Sequence, residues 1–234
     1  MSDRKKLLVT GSAGEVGTVV VRGLKDRYEV RGFDCNPTPD LVDTVQADLS
    51  DNDALARASE GMDAVIHLAA VPTGAAPWED ILEQNIVGTY NLMEAARQNS
   101  VPRVVLASRA GLLAPYPENI RRTIDLTPRP KSYYSVSKLF AEQLGYMYAA
   151  QFDMAVVCVR IGNLHLDRPE PSHPHHLGHD DCAQVFEKSV TCPDVAYEVV
   201  FGVSGSHIPM YDLEHGRKAI GYFPEQGFDA DQES

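Results

Sequence analysis

Basic side chains are scarce in this chain of 234 residues: 21 Lys and Arg face 33 Asp and Glu, for a net charge of −12. Nucleic-acid binding sets Lys and Arg against phosphate, so this balance argues against a nucleic-acid partner and for simple solubility. Part of the acid lies in residues 225–233, which read as a loosely ordered tail. Long apolar runs are also missing. A membrane helix needs about 20 consecutive apolar residues, and no run comes near that, so no membrane partner is expected. Met1-Ser2-Asp3-Arg4-Lys5-Lys6 leads straight into a strand without the apolar core of a signal peptide. Cysteine is sparse, and Cys35, Cys158, Cys182 and Cys192 form no C-x-x-C pair. They read as reduced thiols of a cytoplasmic protein. There is no internal repeat, and the length allows one large α/β domain with at most a small annex.

What is present is organised around a strand, a glycine turn and a helix. Leu7 to Val9 is an apolar run of the kind buried in a parallel sheet. Gly11, Gly14 and Gly17 follow, and Val16, Val19, Val20 and Leu24 then recur at helical steps. A glycine turn lets backbone approach a pyrophosphate, and the helix start offers free N–H groups and a positive dipole end. Such a turn also serves merely to join a strand to a helix. The context favours a dinucleotide, because a second strand over 28–33 ends at Asp34, where an acid reaches the adenosine ribose hydroxyls.

Strands and helices alternate from there, which predicts a doubly wound parallel sheet of the α/β class, covered on both faces. Further strands are expected over 44–47, 63–68, 103–107, 154–160 and 198–201. Helices are expected from about Asp51, over 78–99, from Tyr133 or Tyr134 to Gln151, over 180–189 and over 212–221. The proline-rich stretch 115–130 and the histidine-bearing stretch 163–179 read as loops. Gly11, Asp34, Asp48, Ala69 and Ser108 all fall at strand ends, the side on which such sheets bind ligands.

Tyr134 and Lys138 stand one turn apart on a helix face. An ammonium near a phenol favours the phenolate, lowering a pKa ordinarily about 10. A tyrosine so tuned takes a proton from an alcohol as hydride leaves the carbon. The spacing alone describes an ordinary exposed pair equally well. Its place decides the weighing: it opens the helix before the sixth strand, downstream of a nucleotide-binding half.

Over roughly residues 5–222 the chain resembles the extended short-chain dehydrogenase/reductases, the NAD-dependent epimerase/dehydratase family. The shared marks are Gly11-x-x-Gly14-x-x-Gly17, Asp48-Leu49, His67-Leu68-Ala69-Ala70, Asn85-Ile86-Val87-Gly88-Thr89-x-Asn91, Ser108, Tyr134-x-x-x-Lys138 and Arg160-Ile161-Gly162-Asn163. The surroundings of Ser108, Arg160-Ile161-Gly162, His179-Asp180-Asp181 and the short chain look most like uronate dehydrogenases, which oxidise a hexuronate at its anomeric carbon with NAD. The resemblance implies a Rossmann domain over 1–162 that holds NAD. It also implies a small C-terminal substrate-covering region over 163–234, not an independent domain, and a homodimer acting on a small sugar or sugar acid. Nucleotide-sugar epimerase or dehydratase chemistry is the alternative.

It further implies roles. Gly11, Gly14, Glu15, Val16 and Gly17 line the pyrophosphate, and Asp34 binds the adenosine ribose. No basic residue follows Asp34, so NAD is favoured over NADP. Asp48 and Leu49 flank the adenine, and Leu68, Ala69 and Ala70 pass along the cofactor. Asn85, Ser108 and Ile161 complete the cofactor set, with Asn85 supporting the site rather than reacting. Lys138 holds the nicotinamide ribose, Tyr134 is the acid/base, and Ser108 is the remaining catalytic candidate. Thr73, Arg109, Asn163 and His173 are candidate substrate contacts.

Two departures qualify these roles. The family carries a catalytic Ser or Thr one step after Ser108, where this chain has Arg109. Strand neighbours point to opposite faces, so Ser108 replaces it only through a local bulge or turn. The uronate enzymes then carry Asn and His against the sugar, where this chain has Ala110 and Gly111, and their carboxylate-binding arginine has only Arg168 and His173 as nearby counterparts. Three readings of Arg109 stay open: a grip on a substrate carboxylate or phosphate, a side chain in solvent, or a site that keeps only cofactor binding. The first is preferred, because a guanidinium supplies the missing charge. His173, His175, His176 and His179 could bind zinc, but no Cys lies at ligand spacing and no metal is expected. Trp78 is expected to pack, and Asp180 and Asp181 to cap a helix.

Overall fold

The computed structural model describes residues 4–228. Seven parallel strands form one sheet in the order β3-β2-β1-β4-β5-β6-β7. The first half supplies β1 (Lys6–Thr10), α1 (Glu15–Leu24), β2 (Glu29–Asp34), β3 (Thr44–Gln46), α2 (Asn52–Ser59) and β4 (Ala64–His67). Strand order reverses between β1 and β4, which opens a crevice at their carboxyl ends. β5 (Arg103–Arg109), α5 (Tyr133–Gln151), β6 (Ala155–Ile161), α6 (His179–Thr191), β7 (Tyr197–Gly202) and α7 (Leu213–Ile220) complete the main body. Two short strands, β8 (Gly205–Ser206) and β9 (Gly227–Phe228), pair apart from it.

Alternation along the strands divides the core between two faces. Leu7 and Val9 join Val105, Val157 and Phe186 under α1 and α6. Leu8 joins Val104, Leu106, Met93 and Tyr148 under α2, α5 and the helix that carries Met93. With both faces covered, β1 and β4 carry no polar alternation and are buried almost throughout.

The long helix expected over 78–99 is one rod of mixed winding. It opens as α3 (Trp78–Asp80), widens to a π-helix over Ile81–Val87 and tightens into α4 (Gly88–Gln98). Nothing in the apolar periodicity signals the π segment, where such widening often marks a functional site. Trp78 packs edge-on against Tyr133 with ring centres 5.3 Å apart. Asp51 caps α2 by accepting the Ala54 N–H at 2.8 Å.

Three expectations are corrected. Residues 163–234 are not a cover alone, since they supply β7 to the sheet and α6 to its face. Asp180 and Asp181 do not cap α6; the Gln226 amide oxygen accepts both their N–H groups, at 3.0 and 3.2 Å. The acidic tail expected over 225–233 is tied at its start, where the Asp181 carboxylate accepts the Glu225 N–H at 2.7 Å. Its residues 229–233 lie outside the described residues.

Candidate active site

The crevice between β1 and β4 holds a cavity of about 510 Å³. Gly11, Gly14, Glu15, Val16, Gly17, Asp34, Asp48, Leu49, Leu68, Ala69 and Ala70 all line it. Gly11 has φ +71°, and a Cβ there would stand 2.6 Å from the Ala69 nitrogen, so only glycine carries the turn past β4. Gly14 precedes α1 with no side chain capping the helix, which leaves the first N–H groups facing the cavity. Asp34 accepts the Ala13 N–H at 3.0 Å and the Asn36 N–H at 2.8 Å, which fixes the glycine turn against β2. Cys35 and Asn36 follow it on the wall and bring no cation. An uncapped helix start, a turn that admits no Cβ and an acid at the end of β2 fit NAD. Gln84, Val71 and Pro72 also line the cavity and carry no signal in the sequence.

Asn85 and Ile161 do not line this cavity. The Asn85 amide accepts the Val71 N–H at 2.7 Å and donates to the Val71 carbonyl at 3.2 Å and to Ser137 Oγ at 3.1 Å. These bonds tie the loop after β4 to α5, so Asn85 braces the cleft, and the expectation that it touches the cofactor is corrected.

Beyond the adenosine end, α5 presents Tyr134 and Lys138. Ser132 caps the helix by accepting the Ser135 N–H at 3.2 Å. Lys138 is buried, with Nζ 5.6 Å from the centre of the Tyr134 ring. Burial, and then the nearby Arg109 cation, pull its pKa down to about 8. Burial pushes the Tyr134 phenol up, and Arg109 works against that rise. His67 shares hydrogen bonds with Thr10 Oγ1 at 2.7 Å and Thr89 Oγ1 at 3.1 Å. Burial and the Lys138 charge press its pKa down to about 3, so it stays neutral.

Ser108 is turned away from the cleft. β5 pairs with β6 in unbroken register from Arg103↔Ala155 to Arg109↔Ile161, so no bulge re-aims it. Its buried hydroxyl donates to Glu142 Oε1 at 2.6 Å. Glu142 in turn accepts the Arg160 Nε and Nη2, each at 2.8 Å. The catalytic expectation for Ser108 is corrected: it belongs to a buried polar network beneath α5. Arg109 takes the opposite direction. Its Nη1 donates to Ser135 Oγ at 3.2 Å and its Cζ lies 5.3 Å from the centre of the Tyr134 ring, so the solvent reading fails.

The far wall comes from loops. His175 Nδ1 shares a 2.6 Å hydrogen bond with the Tyr211 hydroxyl. Burial pushes Tyr211 up to about 12 against the pull of Arg122 and Arg109. Arg122 is buried and donates to the carbonyls of Tyr116, Pro117, Glu118 and Ile120, which fixes the proline-rich loop. Neither Tyr211 nor Arg122 stands out in the sequence. Thr73, Asn163 and His173 are exposed, and His173 stacks on His175 with ring centres 5.0 Å apart. Among the described residues no three His, Cys, Asp or Glu side chains are arranged to hold a metal ion.

A parallel sheet that binds a dinucleotide at its switch point and carries Tyr and Lys at the reacting end defines an oxidoreductase of the short-chain type. The model of the NAD dependent epimerase/dehydratase family matches residues 7–188, and the chain belongs to that family. It is 34% identical to an NAD-dependent glucose-6-phosphate dehydrogenase of Haloferax volcanii, over 94% of this chain and 92% of that protein. It is 35% identical to a uronate dehydrogenase of Agrobacterium fabrum, over 90% and 81%. A crystal structure of a uronate dehydrogenase variant from Agrobacterium tumefaciens, complexed with NAD, superposes with a TM-score of 0.88 at 33% identity, over 97% of this chain and 87% of that one.

Proposed function

We propose that this protein oxidises a hydroxyl-bearing carbon of a small sugar or sugar acid with NAD+. The observation that carries the reading is the Tyr134–Lys138 pair at the end of a cleft whose lining suits a dinucleotide. Bound NAD+ supplies the hydride acceptor. Residues 1–162 hold it, with Asp34 on the adenosine ribose and Lys138 on the nicotinamide ribose. Tyr134 accepts the hydroxyl proton, and the Lys138 charge favours its phenolate. Thr73, Asn163 and His173 form the substrate entrance, and the loops of 163–234 close it. A cover made of loops suits a compact substrate, and the Haloferax and Agrobacterium relatives are named for small sugar phosphates and sugar acids.

No helix among the described residues is long and apolar enough to cross a membrane, and the four cysteines are unpaired, which supports a cytoplasmic setting. Tyr90 on α4 and Val136, Tyr146 and Met147 on α5 are exposed, which supports a homodimer through those helices.

The test is NADH formation from NAD+ with a panel of aldoses, sugar phosphates and hexuronates. Tyr134→Phe is expected to lower turnover about 10²–10⁴-fold while NAD binding is kept. Interconversion of a nucleotide-sugar without NADH release would assign epimerase or dehydratase chemistry instead. A protein that binds NAD and turns over nothing overturns the reading in favour of a binding module.

A further inference from the structure

The side chain at 109 and the missing side chain at 111 form one unit. Arg109 ends β5, and its guanidinium folds back over the turn formed by Ala110–Leu113. A Cβ at Gly111 would fall on Arg109 Nη2 and stand 2.7 Å from its Nε. The guanidinium therefore occupies volume that any other residue at 111 would take. From that seat it reaches α5, where Ser135 Oγ accepts from it at 3.2 Å and is itself held 3.0 Å from the helix cap Ser132. The contact thus rests on a fixed frame. Among the described residues Ser135 is its one hydrogen-bond partner, and no carboxylate pairs with it. Its charge lies over the Tyr134 ring, with Cζ 5.3 Å from the ring centre, and its other donors have no partner among the described residues.

An oxygen that gives its proton to Tyr134 must lie within hydrogen-bond reach of the phenol, about 2.6–3.2 Å. A guanidinium over that ring, with one hydrogen bond spent on Ser135, keeps donors that can reach an oxygen bound there. We propose that Arg109, seated by Gly111, is a catalytic residue that donates a hydrogen bond to the substrate oxygen being oxidised. This deepens the dehydrogenase reading above and rests on it. In the step, the O–H proton passes to the Tyr134 phenolate, the C–H electron pair leaves as hydride to NAD+, and the C–O bond becomes C=O. Arg109 keeps its proton throughout. Its charge also favours the phenolate over the phenol, and it stabilises negative charge growing on the oxygen in a half-buried site.

The experiment compares Arg109→Ala, Gly111→Ala and the double variant. It measures kcat and KM against pH on a neutral aldose and on a hexuronate. The Tyr134 phenol is titrated by ultraviolet difference spectroscopy, with Tyr134→Phe as reference. Arg109→Ala is expected to lower kcat about 10²–10³-fold on both substrates, and to move the acid limb of the profile and the phenol titration to higher pH. Gly111→Ala displaces only the far end of a flexible side chain, so the melting temperature holds while most of the same loss appears. In the Arg109→Ala background it adds nothing. If Arg109→Ala instead raises KM for the hexuronate alone, with kcat and pH limb unmoved, Arg109 is an anion grip and the proposal falls. If the wild type oxidises no sugar, the dehydrogenase reading fails separately. The phenol titration then still decides: an unmoved Tyr134 in Arg109→Ala overturns the role given to Arg109.

Discussion

The two ends of the cleft are built differently. The adenosine end is mostly backbone: a glycine turn, an uncapped helix start, the ends of β1, β2 and β4, and one acid whose oxygens each accept a local N–H and keep a further lone pair. The reacting end is made of side chains drawn from β5, α5, the 115–130 loop and the segment near Tyr211. It gathers three cations, Arg109, Lys138 and Arg122, and none of them pairs with a carboxylate among the described residues. Cofactor binding in such a design tolerates most side-chain change, whereas the chemistry hangs on a few charges placed by distant parts of the chain. Uncompensated cations in a half-buried site favour a partner that brings or develops negative charge.

Glu142 braces the reacting end from beneath, and removing it is the largest perturbation short of the reacting groups themselves. It sits one turn beyond Lys138 and receives both Arg160 and Ser108 in the interior. Arg160 Nη1 already lacks a partner, so Glu142→Ala strands a whole buried cation. The expected cost is about 3–5 kcal/mol, read as a lower urea midpoint. Pairing Glu142→Leu with Arg160→Met should recover most of it, because the loss comes from the unpaired charge and not from the volume. A cost below about 1 kcal/mol, the range of exposed pairs, would mean that this network does not seat α5.

A smaller effect separates the ends by pH. Native His67 titrates near 3 and the unfolded chain near 6.5. Above pH 6.5 neither state binds the proton and its contribution is constant. Below that, only the unfolded chain takes the proton, so stability falls by at most about 1.4 kcal/mol per pH unit and levels off near pH 3. Unfolding free energies measured across that window should show a shallower slope in His67→Gln than in the wild type, the difference being up to one proton. Equal slopes would mean that the His67 site admits a charge and that the cofactor end is less neutral than its geometry implies.

The same contrast governs what the sequence discloses. Apolar runs and glycine spacing are local, so the seven strands, the turn at Gly11 and the acid at Asp34 were legible from neighbours in the chain. Strand alternation likewise warned that Ser108 and Arg109 face opposite ways, and the unbroken β5–β6 register shows that they do. The far wall was not legible. Arg122 reads as one more loop arginine until its guanidinium gathers four carbonyls, and Tyr211 stands 36 residues from the His175 it bonds. The cap of α6 comes from Gln226 rather than from the Asp residues at its start. The π segment left no trace either, because it alters winding without altering which residues are apolar.

Gln226 offers the finest test of the division. Its amide oxygen caps α6, and in return the Asp181 carboxylate accepts the N–H groups of Glu225 and Gln226. That exchange anchors β9, which pairs with β8, whose end lies five residues before Tyr211, the partner of His175. Gln226→Ala should cost about 1 kcal/mol, the usual loss of a helix cap. The loosening should reach the reacting end through β8 and Tyr211, raising KM for the sugar. Among the described residues none of this segment lines the adenosine end, so the dissociation constant for NAD should hold. A rise in both constants would show that the substrate wall and the cofactor cleft are mechanically one unit. A loss of stability with neither constant changed would confine the tail to bracing α6.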